Sequence, residues 1–273
     1  MTGIKSSTRA DRNISDTVRK LTKKTLLVLI LISCSLTVSG CVYLRLLKVK
    51  RQFKQFDKYV MVDKKDGLTL SFLQPILYED DIKWLGLSPV FQETKSGVKI
   101  WRHVLKKIYN NNPSETGNYD LVIDTRYQNK KLHALYLPER YFKHISKDFF
   151  IFLFKYMGNS DMDLDKANNT VRHTGGDIDT KHSLSLVKQD NILKMLGVPY
   201  LIESKNGTHS LEYHYKVQEA SSSTNTEEKI NAEYVFTFIF SKQDSLITVA
   251  AKIPILGTIE LDFSEPELHS ATN

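Results

Sequence analysis

The sequence has little cysteine. Cys34 and Cys41 are the two cysteines among 273 residues. Cys34 lies in an apolar N-terminal stretch that we predict to be cleaved, so the mature chain keeps Cys41 alone. One cysteine cannot form an intramolecular disulfide, and a core held by disulfides is therefore excluded.

A strongly basic body is also missing. The chain carries 38 Lys and Arg against 31 Asp and Glu, a net charge of +7. Seven of the basic residues and two of the acids lie within residues 1–40, which leaves 31 basic and 29 acidic side chains for the rest. Nucleic-acid-binding domains concentrate positive charge on one surface. A body this close to neutrality predicts no nucleic-acid partner.

Sequence motifs of catalysis and cofactor binding are absent as well. The chain contains no P-loop, dinucleotide-binding glycine signature, nucleophile elbow or HExxH zinc motif. We therefore predict a protein that is not an enzyme, has neither a cofactor nor a metal site, and takes no small-molecule substrate.

Three alternating aspartates, Asp161, Asp163 and Asp165, have the spacing that opens a calcium-binding loop. Such a loop needs glycine at its sixth position and glutamate at its twelfth, where this chain has Lys166 and Arg172. A solvated loop without a metal is the favoured interpretation.

Four further side chains have a functional and a structural interpretation. His173 and His182 flank the stretch HTGGDIDTKH and could offer metal ligands, although scattered loop histidines are more common. Trp84 and Trp101 could mark a binding surface, because tryptophan is enriched at binding hot spots. More often such tryptophans belong to the core.

The N-terminus has the form of a secretory signal. Residues 25–38 are an apolar stretch of fourteen, with Lys23 and Lys24 directly before it. Fourteen residues are fewer than the roughly 20 that span a bilayer core. The alternative is an uncleaved anchor helix, because no charged residue occurs from residue 25 to residue 44.

The residues Val38-Ser39-Gly40-Cys41 resemble the lipobox of bacterial lipoproteins. This resemblance implies that residues 1–40 are removed and that Cys41 is the lipid-attachment site, with a diacylglycerol and an acyl chain such as palmitate. Val42 implies sorting to the outer membrane, facing the periplasm; the alternative is an inner-membrane anchor. A basic run follows, which consists of Arg45, Lys48, Lys50, Arg51 and Lys54. These side chains could contact anionic lipid headgroups, or they could form the polar face of a stem helix.

The body contains an internal repeat. LGLSPVFQETKSG at 85–97 matches LGVPYLIESKNG at 196–207, with one residue inserted between the glycine and the proline. Pro89 and Pro199 are 110 residues apart, and so are Glu93 and Glu203. A shared spacing at this many positions indicates a duplicated unit.

Both copies of the repeat have the same predicted order of elements. Each copy begins with a short helix that ends in glycine, at 79–86 and at 188–197. A strand follows, at 98–106 and at 208–217, and then a polar loop, at 107–118 and at 218–231. A second hairpin completes each copy. Apolar periodicity predicts earlier helices at 44–60 and at 146–158, the latter stopped by Gly158.

This order of elements, with Ile192–Pro199 (ILKMLGVP) followed by a tyrosine-rich strand, resembles the BamE-like (SmpA/OmlA) envelope lipoproteins. The resemblance implies an α+β fold of two tandem helix-helix-antiparallel-sheet units. Tandem units of this layout also resemble the β-lactamase inhibitor proteins. We expect a signal peptide at 1–40, a lipidated stem and first helix at 41–60, units at 61–140 and 141–263, and a tail at 264–273.

The resemblance implies a non-enzymatic scaffold or adaptor that binds other envelope proteins in outer-membrane assembly or maintenance. Two alternatives remain open at this point. One is a protein inhibitor of a secreted or periplasmic enzyme, and the other is a single-span anchored protein of unknown role.

Overall fold

The computed structural model describes residues 42–109, 112–113, 118–175, 187–205, 207–218 and 233–264. The chain divides into two compact units, of which residues 48–273 form the larger. Residues 42–47 are the described part of the other unit, and they are helical. The predicted leader and Cys41 lie outside the described residues.

Residues 48–273 contain five described α-helices, one 3-10 helix and fourteen strands. The helices are α1 (48–54), α2 (Phe56–Tyr59), α3 (Glu79–Trp84), α4 (Lys147–Asn159) and α5 (Gln189–Leu196), with the 3-10 helix at Glu139–Lys143. The strands are β1 (Val60–Asp63), β2 (Leu68–Phe72), β3 (Phe91–Lys95), β4 (Val98–Tyr109), β5 (Asn112–Pro113), β6 (Leu121–Gln128), β7 (Lys131–Leu137), β8 (Asp161–Asp165), β9 (Thr170–Thr174), β10 (Leu201–Lys205), β11 (Thr208–Val217), β12 (Glu233–Phe240), β13 (Leu246–Ile253) and β14 (Gly257–Asp262).

The strands form one mixed sheet. Its order is β1-β2-β7-β6-β4-β11-β12-β13-β14-β9-β8, with β10 added to β11 and both β3 and β5 added to β4. The neighbours are antiparallel except β14 and β9, which are parallel. The sheet therefore runs without a break through both copies of the repeat.

The predicted fold class, two tandem helix-helix-sheet units, is wrong. Strands β4 and β11 pair directly, with Leu105 opposite Val217 and Lys107 opposite Tyr215, so the two halves share one sheet. The prediction failed because isolated units would leave the C-terminal ends of β4 and β11, residues 105–107 and 215–217, without a partner on one side, and unpaired N–H and C=O groups favour pairing. It also missed β1, β2, β8, β9 and β14, which extend the sheet on both sides.

The repeat itself is present in the register of the sheet. Lys106 pairs with Lys216, its equivalent 110 residues later, so β4 and β11 are related by a local two-fold axis at this pair. The β3–β4 and β10–β11 hairpins have the same register, because Phe91 pairs with Arg102 and Leu201 pairs with Glu212. The two copies are thus parts of one continuous sheet.

The helices pack on one face of the sheet. Phe152 of α4 and Ile192 of α5 join Tyr213 and Phe240 in the largest apolar core. A second core lies between α1, α2, β2 and α4, and a third surrounds Trp101 beside α3. The opposite face carries ion pairs, including Arg172–Glu260 at 2.7 Å.

Helix α4 continues past the residue that was predicted to stop it. Gly158 is buried, and a Cβ at this position would overlap the backbone of Phe53 and Lys54 in α1. The Lys50 ammonium donates to the carbonyls of Met157 and Ser160 at 3.0 and 2.9 Å. Glycine therefore serves the close approach of two helices here, not the end of a helix.

Several other predicted elements are confirmed, whereas residues 219–231 of the second predicted polar loop lie outside the described residues. The helices at 79–84 and 189–196 and the strand at 208–217 match the prediction closely. The predicted loop at 107–118 is partly wrong, since β4 extends to Tyr109 and Lys107 is buried within it. A basic residue in a polar stretch is normally predicted to be exposed. The Lys107 ammonium is buried here because it donates to two backbone carbonyls.

Candidate functional site

Strand β10 has one paired edge and one open edge. It pairs antiparallel with β11, from Leu201 opposite Glu212 to Lys205 opposite Thr208. In the part of the chain that the structure describes, no other strand pairs with β10. All five of its residues are exposed, so the backbone groups of the open edge are available to an added strand.

A short connection places β10 directly after α5. The helix ends at Leu196, and Gly197 follows with φ of 71°. A Cβ on Gly197 would come within 2.7 Å of the Tyr119 ring, so both the backbone conformation and the available space favour glycine. The Tyr200 N–H then donates to the Glu212 carbonyl at 2.7 Å, which starts the hairpin.

Lys107 holds this connection from inside the protein. Its ammonium donates to the carbonyls of Leu196 and Val198, each at 2.5 Å, at the carbonyl end of α5. The same nitrogen lies 5.1 Å from the ring centres of Tyr119 and Tyr213. Burial lowers the pKa of Lys107 to about 8, because the charged form loses hydration. The start of β10 is therefore anchored to the neighbouring half of the sheet.

Four apolar side chains are exposed on and just before β10. Val198, Tyr200, Leu201 and Ile202 are 60%, 40%, 42% and 57% exposed. Contiguous exposed apolar residues are uncommon on monomeric proteins and mark interaction sites. Leu201 lies on the face of Glu212, whereas Ile202 is opposite Leu211 and so lies on the helix-covered face.

The equivalent strand β3 has the same backbone and different side chains. The Val90 N–H donates to the Arg102 carbonyl at 2.8 Å, as Tyr200 does in the second copy. The positions equivalent to Val198 and Ile202, however, are Ser88 and Gln92. Since the hairpin forms with polar residues there, its geometry does not require the apolar ones in β10.

Tyr200 is fixed by an aromatic stack beside β10. Its ring lies 4.0 Å from the imidazole of His214, with the planes 22° apart. The His214 Nδ1 bonds Glu233 at 2.5 Å and its Nε2 bonds Glu212 at 2.6 Å. A carboxylate on each ring nitrogen sets the plane of the imidazole, which in turn orients Tyr200 as a rigid part of the exposed surface.

The sequence-predicted metal candidates are not brought together. Asp161, Asp163 and Asp165 form strand β8, so the predicted solvated loop is wrong at these positions. His173 is buried and its Nδ1 bonds the Ser160 hydroxyl at 2.9 Å, while His182 lies outside the described residues. Within the described residues there is no group of three His, Cys, Asp or Glu side chains that could hold a metal ion.

The two tryptophans and the basic run have structural surroundings. Trp101 is 1% exposed and lies in the core beside α3, and Trp84 is half-buried at the end of that helix. Lys50 is bound to the end of α4, whereas Lys48 and Arg51 are exposed and remain available to a surface. None of the described helices has the length and hydropathy that a bilayer crossing needs.

No protein-family model, no curated protein and no solved structure matches this chain. The candidate site therefore depends on the geometry of β10 and on the internal comparison with β3. Sequence reasoning found the turn at Gly207 but did not recognise residues 201–205 as a strand. The signal was present in the repeat alignment, where Ser88 and Gln92 are replaced by Val198 and Ile202.

Proposed function

We propose that this protein is a non-enzymatic adaptor of the cell envelope that binds an extended segment of another envelope protein. The segment adds to the sheet as a strand next to β10. The observation that carries this proposal is the open edge of β10 with its exposed apolar side chains. Strand addition supplies main-chain hydrogen bonds for affinity and alternating side-chain contacts for specificity.

The side chains of β10 suit such a partner on both faces. Leu201 and the stacked ring of Tyr200 would contact alternate side chains of the added strand on one face. Ile202 would contact the intervening ones on the other face. Val198 lies before the strand and extends the apolar contact toward α5.

Two other open edges of the sheet, β8 and β3, differ from β10 in their side chains. The edge strand β8 carries Asp161, Asp163 and Asp165, and charged side chains discourage pairing. Strand β3 has charges at the same two positions as β10, Glu93 and Lys95 against Glu203 and Lys205, but it has the polar Gln92 where β10 has Ile202. This difference favours β10 over β3 and β8 as the binding edge.

The membrane tether in this proposal is the lipid on Cys41. The lipobox Val38–Cys41 and the charged, apolar leader before it support this attachment. Several acyl chains hold a protein firmly, since one chain alone gives marginal binding. The intact mass of the membrane-extracted chain tests it: a chain that begins at Cys41 and carries lipid is expected, and an unmodified chain with residues 1–40 would contradict it.

The binding edge can be tested by photo-crosslinking in cells of the source organism. A photoreactive residue at Glu203 should crosslink to an envelope protein, whereas one at the equivalent Glu93 should not. The double variant V198S/I202Q gives β10 the side chains that β3 already has, so the hairpin should still form. It should abolish the crosslink at position 203. Equal crosslinking at both positions would contradict the proposal.

The crosslinked segment then tests strand addition directly. A synthetic peptide of that segment should lose binding when alternate backbone nitrogens, those facing β10, are methylated. Methylation of the intervening nitrogens should have little effect, because they point away from the sheet. Equal binding of both peptides would show that main-chain pairing is not used. A soluble enzyme as the crosslinked partner, inhibited on binding, would replace the adaptor role with the inhibitor role.

A further inference from the structure

A cleft of about 150 Å³ lies at the junction of three elements on the helix-covered side. Its walls come from residues 118–120 before β6, the 3-10 helix and the following residue, and α5. The lining side chains include Arg140, Lys143, His144 and Lys194, with Asp120 as the acidic member. The walls therefore combine three formal positive charges with one formal negative charge.

The negative charge of Asp120 is compensated by Lys106, which does not line the cleft. One oxygen accepts from the Lys107 backbone N–H at 3.0 Å, and the other pairs with the Lys106 ammonium at 2.8 Å. The side chain is 5% exposed. The positive charge of the cleft is therefore left for a ligand.

Arg140 is held in place beside the cleft. One of its amino groups donates to the Asp120 carbonyl at 2.5 Å and to the Tyr141 hydroxyl at 3.0 Å. Its guanidinium also lies 5.1 Å from the centre of the Tyr141 ring. These contacts orient the group and leave other N–H donors for a ligand, because a guanidinium carries five.

The two lysines that line the cleft are available for binding. Lys143 and His144 are exposed and have no hydrogen-bond or ion-pair partner among the described residues. Lys194 pairs with Asp190 at 2.5 Å on the helix surface, where both side chains are more than half exposed. Exposed pairs of this kind are weak and exchange easily.

We propose that this cleft is an anion site that binds a phosphate group. A doubly charged tetrahedral oxyanion can accept from a guanidinium and from two ammonium groups together, which is how proteins recognise phosphate. The phosphate could belong to a soluble phosphate monoester or to a lipid headgroup. Both sources present the same chemistry to Arg140, Lys143 and Lys194.

Titration of the full chain in detergent with inorganic phosphate tests this site by calorimetry. The variant K143E reverses a charge that has no partner among the described residues, so folding should be retained. Its phosphate affinity should fall by about tenfold or more, the value expected for a charge-assisted hydrogen bond. The control K95E makes the same charge change on β3 and should bind as the wild type does.

Further arms separate the sources of the anion. Detergent micelles that contain phosphatidic acid should compete with inorganic phosphate if the ligand is a headgroup, and should not compete if it is a soluble monoester; either result supports the site. Acetate binding as tightly as phosphate would overturn the assignment to phosphate. Absence of phosphate binding at millimolar concentration, or equal losses in K143E and K95E, would overturn the site.

Discussion

Raising the pH from 7 to 10 should stabilise this protein through Lys107. Its pKa is lowered to about 8 by burial, whereas an unfolded lysine titrates near about 10.4. Between these values the unfolded state binds a proton at Lys107 and the folded state does not. The free energy of unfolding therefore rises with pH across this window.

The size of the effect follows from the difference between the two pKa values. A difference of about 2.4 pKa units corresponds to about 3 kcal/mol, as an order of magnitude. Below pH 8 both states are protonated and the cost of burying the charge is fully present. The neutral amine can still donate to the carbonyls of Leu196 and Val198, so the fold tolerates deprotonation.

Chemical denaturation at pH 7, 8, 9 and 10 measures this gain. K107M should remove most of it, and a smaller rise should remain because burial also lowers the pKa of Lys50. Above about pH 10 the stability should fall again, since burial raises the pKa of Tyr156 and Tyr234 to about 12 and the unfolded tyrosines ionise first. A flat profile between pH 8 and 10, or an equal rise in K107M, would refute the reasoning.

Two further predictions concern the packing of α4. G158A should destabilise the protein by about 1–3 kcal/mol, because the added methyl group overlaps the backbone of Phe53 and Lys54. Faster hydrogen exchange in residues 48–54 would show that the stability is lost at this contact. An unchanged denaturation midpoint would contradict the prediction. Burial, and then the charge of Lys50, lowers the pKa of His173 to about 4, so the unfolded state gains a proton first as the pH falls below about 6.5. The free energy of unfolding should drop by about 3 kcal/mol between pH 6.5 and 4. H173N should lessen this drop. Equal acid sensitivity of the wild type and H173N would contradict the assignment of the drop to His173.

The local elements of the fold were predictable from the sequence. Glycine after α3 and α5, acids in their first turns, and the alternation in β11 and β12 are signals carried within a few residues. Gly86 and Gly197 do adopt positive φ, of 88° and 71°. These features depend on backbone sterics and on side chains close in sequence.

The joining of the two halves was not predictable in the same way. Pairing of β4 with β11 involves three residue pairs that are 108 to 112 positions apart, and no local pattern encodes such a choice. The burial of Lys107 depends on it as well, because its carbonyl partners belong to α5. A lysine in a polar stretch gives no sign of a buried role until the partner helix is placed.

The duplication supplies the comparison from which the candidate site is inferred. A hairpin that is present twice shows which residues its conformation requires, since those must occur in both copies. Pro89 and Pro199, Glu93 and Glu203, and the turn glycines meet this condition. The residues that differ, Ser88 against Val198 and Gln92 against Ile202, are then free to serve something other than the hairpin. Exposed apolar side chains do not stabilise a strand by burial, and the proposed adaptor function assigns those of β10 to a partner strand that would cover them.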